Sequence, residues 1–260
     1  MRFLYSLLLL FFTYAHANEF STQFDQLKSQ DWSLLCQLGE KALIEEKLTD
    51  LDMAQIHARL ASSYFYLGEY DSMKTHIIAC EKFALDLSSK QYLLRSLYLL
   101  SAYYRGKELF VEAQAAIEKA LELINDGVDD CLKAKIYFNA GAAYADDPTC
   151  DPLQAISFYQ KALTLFEQAS SDAYRTQIRL AKSWLLLSNY EEAWTALTPL
   201  YQVDLEPRVS VHLLYVTAQL EMAQGNFDLA LVRIEEALPL AKQLKMSRDI
   251  ERLQQLRDLL

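Results

Sequence analysis

Glycine and proline are scarce, at six and five in 260 residues. Helix interiors tolerate few of either. With Leu, Ala, Glu, Lys and Gln dominating, their scarcity leaves an all-α chain. Basic residues are also short, 25 Lys and Arg against 35 Asp and Glu, for a formal charge of −10. Such a chain carries no overall footprint for nucleic acid or anionic lipid. Long apolar runs are missing beyond the first few residues, so no later segment reads as a membrane span. Catalytic signatures are missing too: there is no HExxH, nucleophile elbow, P-loop, dinucleotide fingerprint or kinase motif. The paired acids Glu45-Glu46 and Glu191-Glu192 read as solvated helix faces. No metal or cofactor is implied, and the chain does not read as an enzyme.

What is present begins with an address. Arg2 precedes an almost unbroken apolar run from Phe3 to Tyr14, and Ala15-His16-Ala17 offers small residues at a signal-peptidase site. The run is short for a span, which needs ~20 residues. Residues 1–17 are therefore expected to be cleaved after Ala17, giving a periplasmic or secreted protein with no membrane insertion afterwards. Losing Arg2 makes the charge one unit more negative than −10.

The main signal is a repeat. Ala61, Ser101, Gly141 and Ala181 fall 40 residues apart, and Ala218 follows 37 later. A second helix after each carries Met73, Ala113, Ala155, Ala193 or Ala230. Seven positions on come Cys80, Ala120, Ala162, Leu200 or Ala237. A fixed long period means stacked supersecondary units, and small residues at fixed places let two helix backbones approach closely. In the second unit Leu97, Leu100, Ser101 and Tyr104 lie at i, i+3, i+4 and i+7, one helix face. Glu108-Leu109-Phe110 forms its turn, and Ala113, Ile117, Ala120 and Leu121 stripe the partner helix.

With Tyr64, Tyr104, Tyr144 and Trp184 three residues after the small positions, and Gly225-Asn226-Phe227-Asp228-Leu229-Ala230 at a turn, residues 51–244 resemble the tetratricopeptide repeat family. The period exceeds that family's usual ~34. The resemblance implies a right-handed α-α superhelix, a solenoid with helical caps. Residues 18–50 would form N-terminal capping helices, with Asp31 an N-cap before Trp32. Residues 51–244 would form five helix pairs, and 245–260 a C-terminal capping helix. Pro199 should kink or shorten the second helix of the fourth pair. The run Asp146-Asp147-Pro148-Thr149-Cys150-Asp151-Pro152 reads as a surface turn and not a calcium loop.

The resemblance also implies that first helices line a concave surface that holds a protein or peptide. Six residues before each packing position stand Gln55, Arg95, Lys135, Arg175 and His212, a basic ladder. Three before it stand Ala58, Tyr98, Phe138, Ile178 and Tyr215, an apolar strip that belongs either to the groove or to the inter-helix core. Arg105 and Lys182 join the groove-facing set. Arg grips a carboxylate through two parallel hydrogen bonds, so an acidic or carboxylate-bearing segment is the expected ligand. The functional expectation is an adaptor or scaffold of the bacterial cell envelope. The alternative is a sensory module docking on a membrane diguanylate cyclase or sensor kinase, since the chain ends at Leu260 without an output domain.

His57 reads as a core histidine and His76 as an exposed one. Four cysteines in an exported chain suggest disulfides, but Cys131 and Cys150 would lie roughly 20 Å apart along a helix, beyond the ~7 Å Cα limit. Cys36 and Cys80 form the least unfavourable pair. Free thiols are expected.

Overall fold

The computed structural model describes residues 32–45, 47–149 and 151–260. Residues 1–31, Glu46 and Cys150 lie outside the described residues, so the expected cleaved leader, the capping helix before Trp32 and the Asp31 N-cap are not addressed by the structure. Among the described residues there are helices and connections and no strand, and the all-α reading stands. The chain divides into two compact units, one up to Leu123 and one from Ile124 onward.

The first unit contains α1 (Trp32–Glu45), α2 (Asp50–Leu67), α3 (Tyr70–Asp86), α4 (Lys90–Gly106) and α5 (Phe110–Leu123). Each packs on the next, and α2 also packs on α4. The helix α1 docks on α2 through Cys36 and Ala42 against Ile56 and Leu60. Trp32 stacks on Tyr66 at 4.1 Å between ring centres.

The second unit contains α6 (Asp130–Ala145), α7 (Pro152–Leu163), α8 (Ser171–Leu186), α9 (Tyr190–Leu197), α10 (Pro207–Ala223), α11 (Phe227–Gln243) and α12 (Ser247–Arg257). Here α6, α8 and α10 pack in succession, and α10 also meets α12. Pro199 acts as expected: α9 stops at Leu197 and a 3₁₀ segment, Thr198–Gln202, takes over. Pro239 is tolerated inside α11. It sits on the exposed side, where solvent is available to the Glu235 carbonyl that a proline leaves without a donor.

Small residues decide how closely paired helices approach. Ala61, Ser101, Ala181 and Ala218 are all 0 % exposed, and Gly141 is buried. Their counterparts Met73, Ala113, Ala155, Ala193 and Ala230 are fully buried as well, as are Cys80, Ala120, Ala162 and Ala237. At Gly141 the approach is tightest. A β-carbon there would stand 2.7 Å from Cδ1 of Tyr159, whose ring is itself 0 % exposed. Gly106 has the same role toward the ring of Tyr70.

One backbone device closes the first helix of four pairs. Gly68, Glu108, Ser188 and Gly225 all adopt positive φ. The next residue's N–H reaches back to Tyr64, Tyr104, Trp184 or Glu221 at 2.9–3.0 Å. This is a Schellman closure, which satisfies carbonyls that a helix end leaves open. It explains why a glycine position in the repeat survives as Glu108 and Ser188. The left-handed conformation is required, but it costs a non-glycine residue only about 1–2 kcal/mol.

Gly141→Ala forces the Tyr159 ring or the α6 backbone to move. It should destabilise the protein by about 1–3 kcal/mol, measured by urea denaturation.

Candidate functional site

Along α8, Asp172, Arg175, Arg179 and Lys182 follow helical spacing and form one stripe. The neighbouring helices direct charge at that stripe. From α6, Lys135 Nζ lies 3.9 Å from Asp172 Oδ2, and Asp146 Oδ1 accepts a 2.8 Å hydrogen bond from Arg179. Arg175 Nη1 reaches Asp172 at 3.4 Å. On α10, His212 Nε2 lies 3.6 Å from Asp249 of α12. Asp249 also feels Arg252 and Arg208, and Lys182 feels Arg252 and Arg248. The result is a strongly basic face on the second unit of an acidic protein.

The titration behaviour follows from this arrangement. Asp146 holds the Arg179 guanidinium above its ordinary value against the effect of burial. Burial works against the Asp249 carboxylate, but His212 and the nearby arginines keep it below its ordinary range. Burial pushes His212 down despite Asp249, with Arg175 and Arg179 adding to the fall. Burial, then Arg179, push Lys182 down to about 8, with Asp146 opposing.

The sequence-derived ladder is therefore modified. Lys135 and Arg175 share Asp172, and burial disfavours the charged form of His212. Phe138 is half-buried, with the Arg175 guanidinium 5.7 Å from its ring centre. Tyr215 accepts a 3.2 Å hydrogen bond from Gln219 Nε2, and burial raises its pKa. In the first unit, Arg95 lies 5.8 Å from the ring centre of Tyr92. Tyr98 packs on the core. Arg105, read as groove-facing, is only 6 % exposed. The counter-charges Asp146, Asp172 and Asp249 were missed, as were Arg179 and Arg252. Asp172 was findable at i−3 from Arg175. The Asp146–Arg179 pair was not, because 33 residues separate the partners.

His76 is corrected outright: it is 6 % exposed. It shares the buried face of α3 with Met73, Ile77 and Cys80, at i, i+3, i+4 and i+7 from Met73. Its Nδ1 stands 2.8 Å from Nδ1 of His57, so one ring donates and the other accepts. Its Nε2 meets Glu40 Oε1 at 2.9 Å, and the Tyr64 hydroxyl donates to the same oxygen at 2.7 Å. Burial, then His76, push His57 down to about 4. Cys36, Cys80 and Cys131 are free thiols. Burial lifts Cys36 to about 11 and Cys80 to about 12, so neither is a thiolate nucleophile near neutral pH. Among the described residues no group of three or more His, Cys, Asp and Glu is arranged to hold a metal, and no helix is long and apolar enough to cross a membrane. A shallow depression of about 410 Å³ beside α7, α8 and α9 is lined by Leu163, Leu180 and Trp184 with Glu191 and Glu192. It holds no nucleophile–base pair.

No protein-family model matches this sequence, and no curated protein matches it. Solved structures do. A Rap protein crystallised with Competence and Sporulation Factor superposes with a TM-score of 0.66 at 12 % identity, covering 95 % of this chain and 75 % of that one. The apo form of RapI gives 0.58 at 14 %, covering 90 % and 99 %. BtubC (BKLC) from P. vanneervenii gives 0.57 at 15 %, covering 88 % and 92 %. At such identities the likeness concerns the fold alone, which is all-α with helices packed in succession.

His57 makes stability acid-sensitive. The folded pKa of His57 lies below its unfolded value of 6.5. Its contribution is complete above that value and is lost as pH falls through about 4. Thermal melts should show Tm falling over that window, and His57→Phe should flatten the fall.

Proposed function

We propose that this chain is an exported interaction protein that holds an acidic protein or peptide segment against the basic face of its second unit. It acts as an adaptor or scaffold in the bacterial cell envelope. The observation that carries the reading is the sign of that face. An acidic body brings Lys135, Arg175, Arg179, Lys182, Arg208, Arg248 and Arg252 together with Asp146, Asp172 and Asp249. Charge segregated in this way orients an oppositely charged partner and speeds encounter.

The half-buried rings of Phe138 and Tyr215 beside the cations supply apolar contact for the stem of an acidic side chain. Binding is favoured over catalysis because burial keeps Cys36 and Cys80 protonated and no nucleophile–base pair is seen among the described residues of this face. The likeness to a Rap protein crystallised with a factor bound also lends weight to a second reading. In it the chain is a regulatory module whose partner contacts change when a ligand occupies the face. The export half of the proposal rests on residues 1–17, whose n-region, apolar run and Ala-His-Ala site fit a cleaved leader.

A fluorescent hexaglutamate peptide should bind the wild-type protein more tightly than hexaglutamine does. Its affinity should fall as salt is raised. Lys135→Glu/Arg175→Glu should weaken it by about tenfold or more. Undiminished affinity in a variant with intact helicity, measured by anisotropy and circular dichroism, would sink the binding reading. For export, intact mass of the envelope-fraction protein should correspond to a chain starting at Asn18. A chain retaining Met1 in the cytoplasm would refute it.

A further inference from the structure

The side of α8 turned away from the basic stripe carries a second arrangement. Gln177, Leu180 and Trp184 lie at i, i+3 and i+7, about half a turn round the helix from Arg175, Arg179 and Lys182. Leu163 of α7 and Trp184 join one apolar cluster with Leu180. Trp184 joins another with Ala193 and Ala196 of α9. These residues line the depression of about 410 Å³, together with Glu191, Glu192 and Thr195 of α9. The Asn189 N–H donates to the Trp184 carbonyl at 3.0 Å, and α9 begins at Tyr190. Both glutamates therefore stand in the first turn of α9, at the same depression as the indole.

Three features of this depression have no structural use. Gln177 Oε1 is shut off from water and accepts no hydrogen bond, a costly state that a donor would end. Glu191 and Glu192 are exposed, and neither has an ion pair or hydrogen bond among the described residues. The Trp184 ring is only half-buried, and indole is the side chain whose face attracts cations best. An orphaned acceptor, two unneutralised carboxylates and an indole suit one kind of partner: a flat cation with several N–H donors and an apolar stem.

We propose that this depression is a receptor for an arginine side chain of a partner polypeptide. The methylene stem lies on Leu163 and Leu180, and the guanidinium stacks on Trp184. One N–H reaches Gln177 Oε1 once the amide turns about its soft terminal torsion. The remaining donors face Glu191 and Glu192. A lysine fits less well, because its ammonium is a compact, strongly hydrated point charge with no plane to stack. The volume lies at the small end of ligand sites, room for one long side chain. The formal charge of −10 also favours the approach of a basic segment. This receptor is separate from the basic face and does not rest on the reading of that face.

N-acetyl-arginine amide, a single blocked residue, is the probe. The readout is the NMR signal of the Trp184 indole N–H, identified by its loss in Trp184→Phe. That signal should shift saturably as the probe is added. The neutral isostere N-acetyl-citrulline amide should bind at least about tenfold more weakly. Glu191→Gln/Glu192→Gln should cost the arginine probe a similar factor, with circular dichroism showing that the helices are intact. Gln177→Leu should weaken the probe by about threefold or more. Without ligand it should melt at or above wild type, since it removes an unpaired buried acceptor, whereas a structural glutamine would melt lower when replaced. Three results would overturn the receptor: no saturable shift, citrulline binding as tightly as arginine, or undiminished binding by the double glutamine variant. Tighter binding of N-acetyl-lysine amide would overturn the choice of arginine. A lower melting temperature in Gln177→Leu would remove that amide from the site.

Discussion

Close approach of paired helices at small residues is the constraint on which the rest depends. Ala61, Ser101, Gly141, Ala181 and Ala218 leave no room between backbones, and each meets a second helix whose facing positions are themselves buried. The Tyr159 ring lying on Gly141 is the sharpest instance. Because interiors are packed as densely as crystals, this contact fixes the rotation of both helices. Once the rotation is fixed, residues at other helical offsets have no choice of face. The stripe Asp172, Arg175, Arg179 and Lys182 is presented because Ala181 on the same helix must be buried.

Electrostatics then divides the second unit's face into two parts. Toward α6 the cations meet acids: Lys135 and Arg175 share Asp172, and Arg179 takes Asp146. Such half-exposed pairs add little stability, ~0–1 kcal/mol each, but they hold long side chains in defined places. Lys182, by contrast, is half-buried and has no ion pair among the described residues.

The first unit holds a different polar arrangement in its interior. Two histidine rings meet across α2 and α3, and Glu40 of α1 anchors one of them while accepting from Tyr64. A buried polar network of this kind specifies one docking geometry, since its members are costly to leave unsatisfied. It ties α1 to the first helix pair more selectively than Ile56 and Leu60 do by apolar contact alone.

Periodicity alone determined that this is a helical repeat protein, which residues pack at each helix pair, and that Pro199 breaks α9. These features are local: a helix face is set by spacing, and a lost N–H acts within one turn. The common helical phase of Lys135, Arg175 and His212 is a matter of spacing in the same way, and Asp172, three residues before Arg175, was open to the same rule though the sequence reading did not include it. Only the tertiary structure decided their charge state and partners. It buried Arg105 and His76, shifted His212 toward its neutral form, and paired Asp146 with Arg179 and Asp249 with His212. Coulomb energy and desolvation depend on distances through space, and a one-dimensional pattern does not contain them.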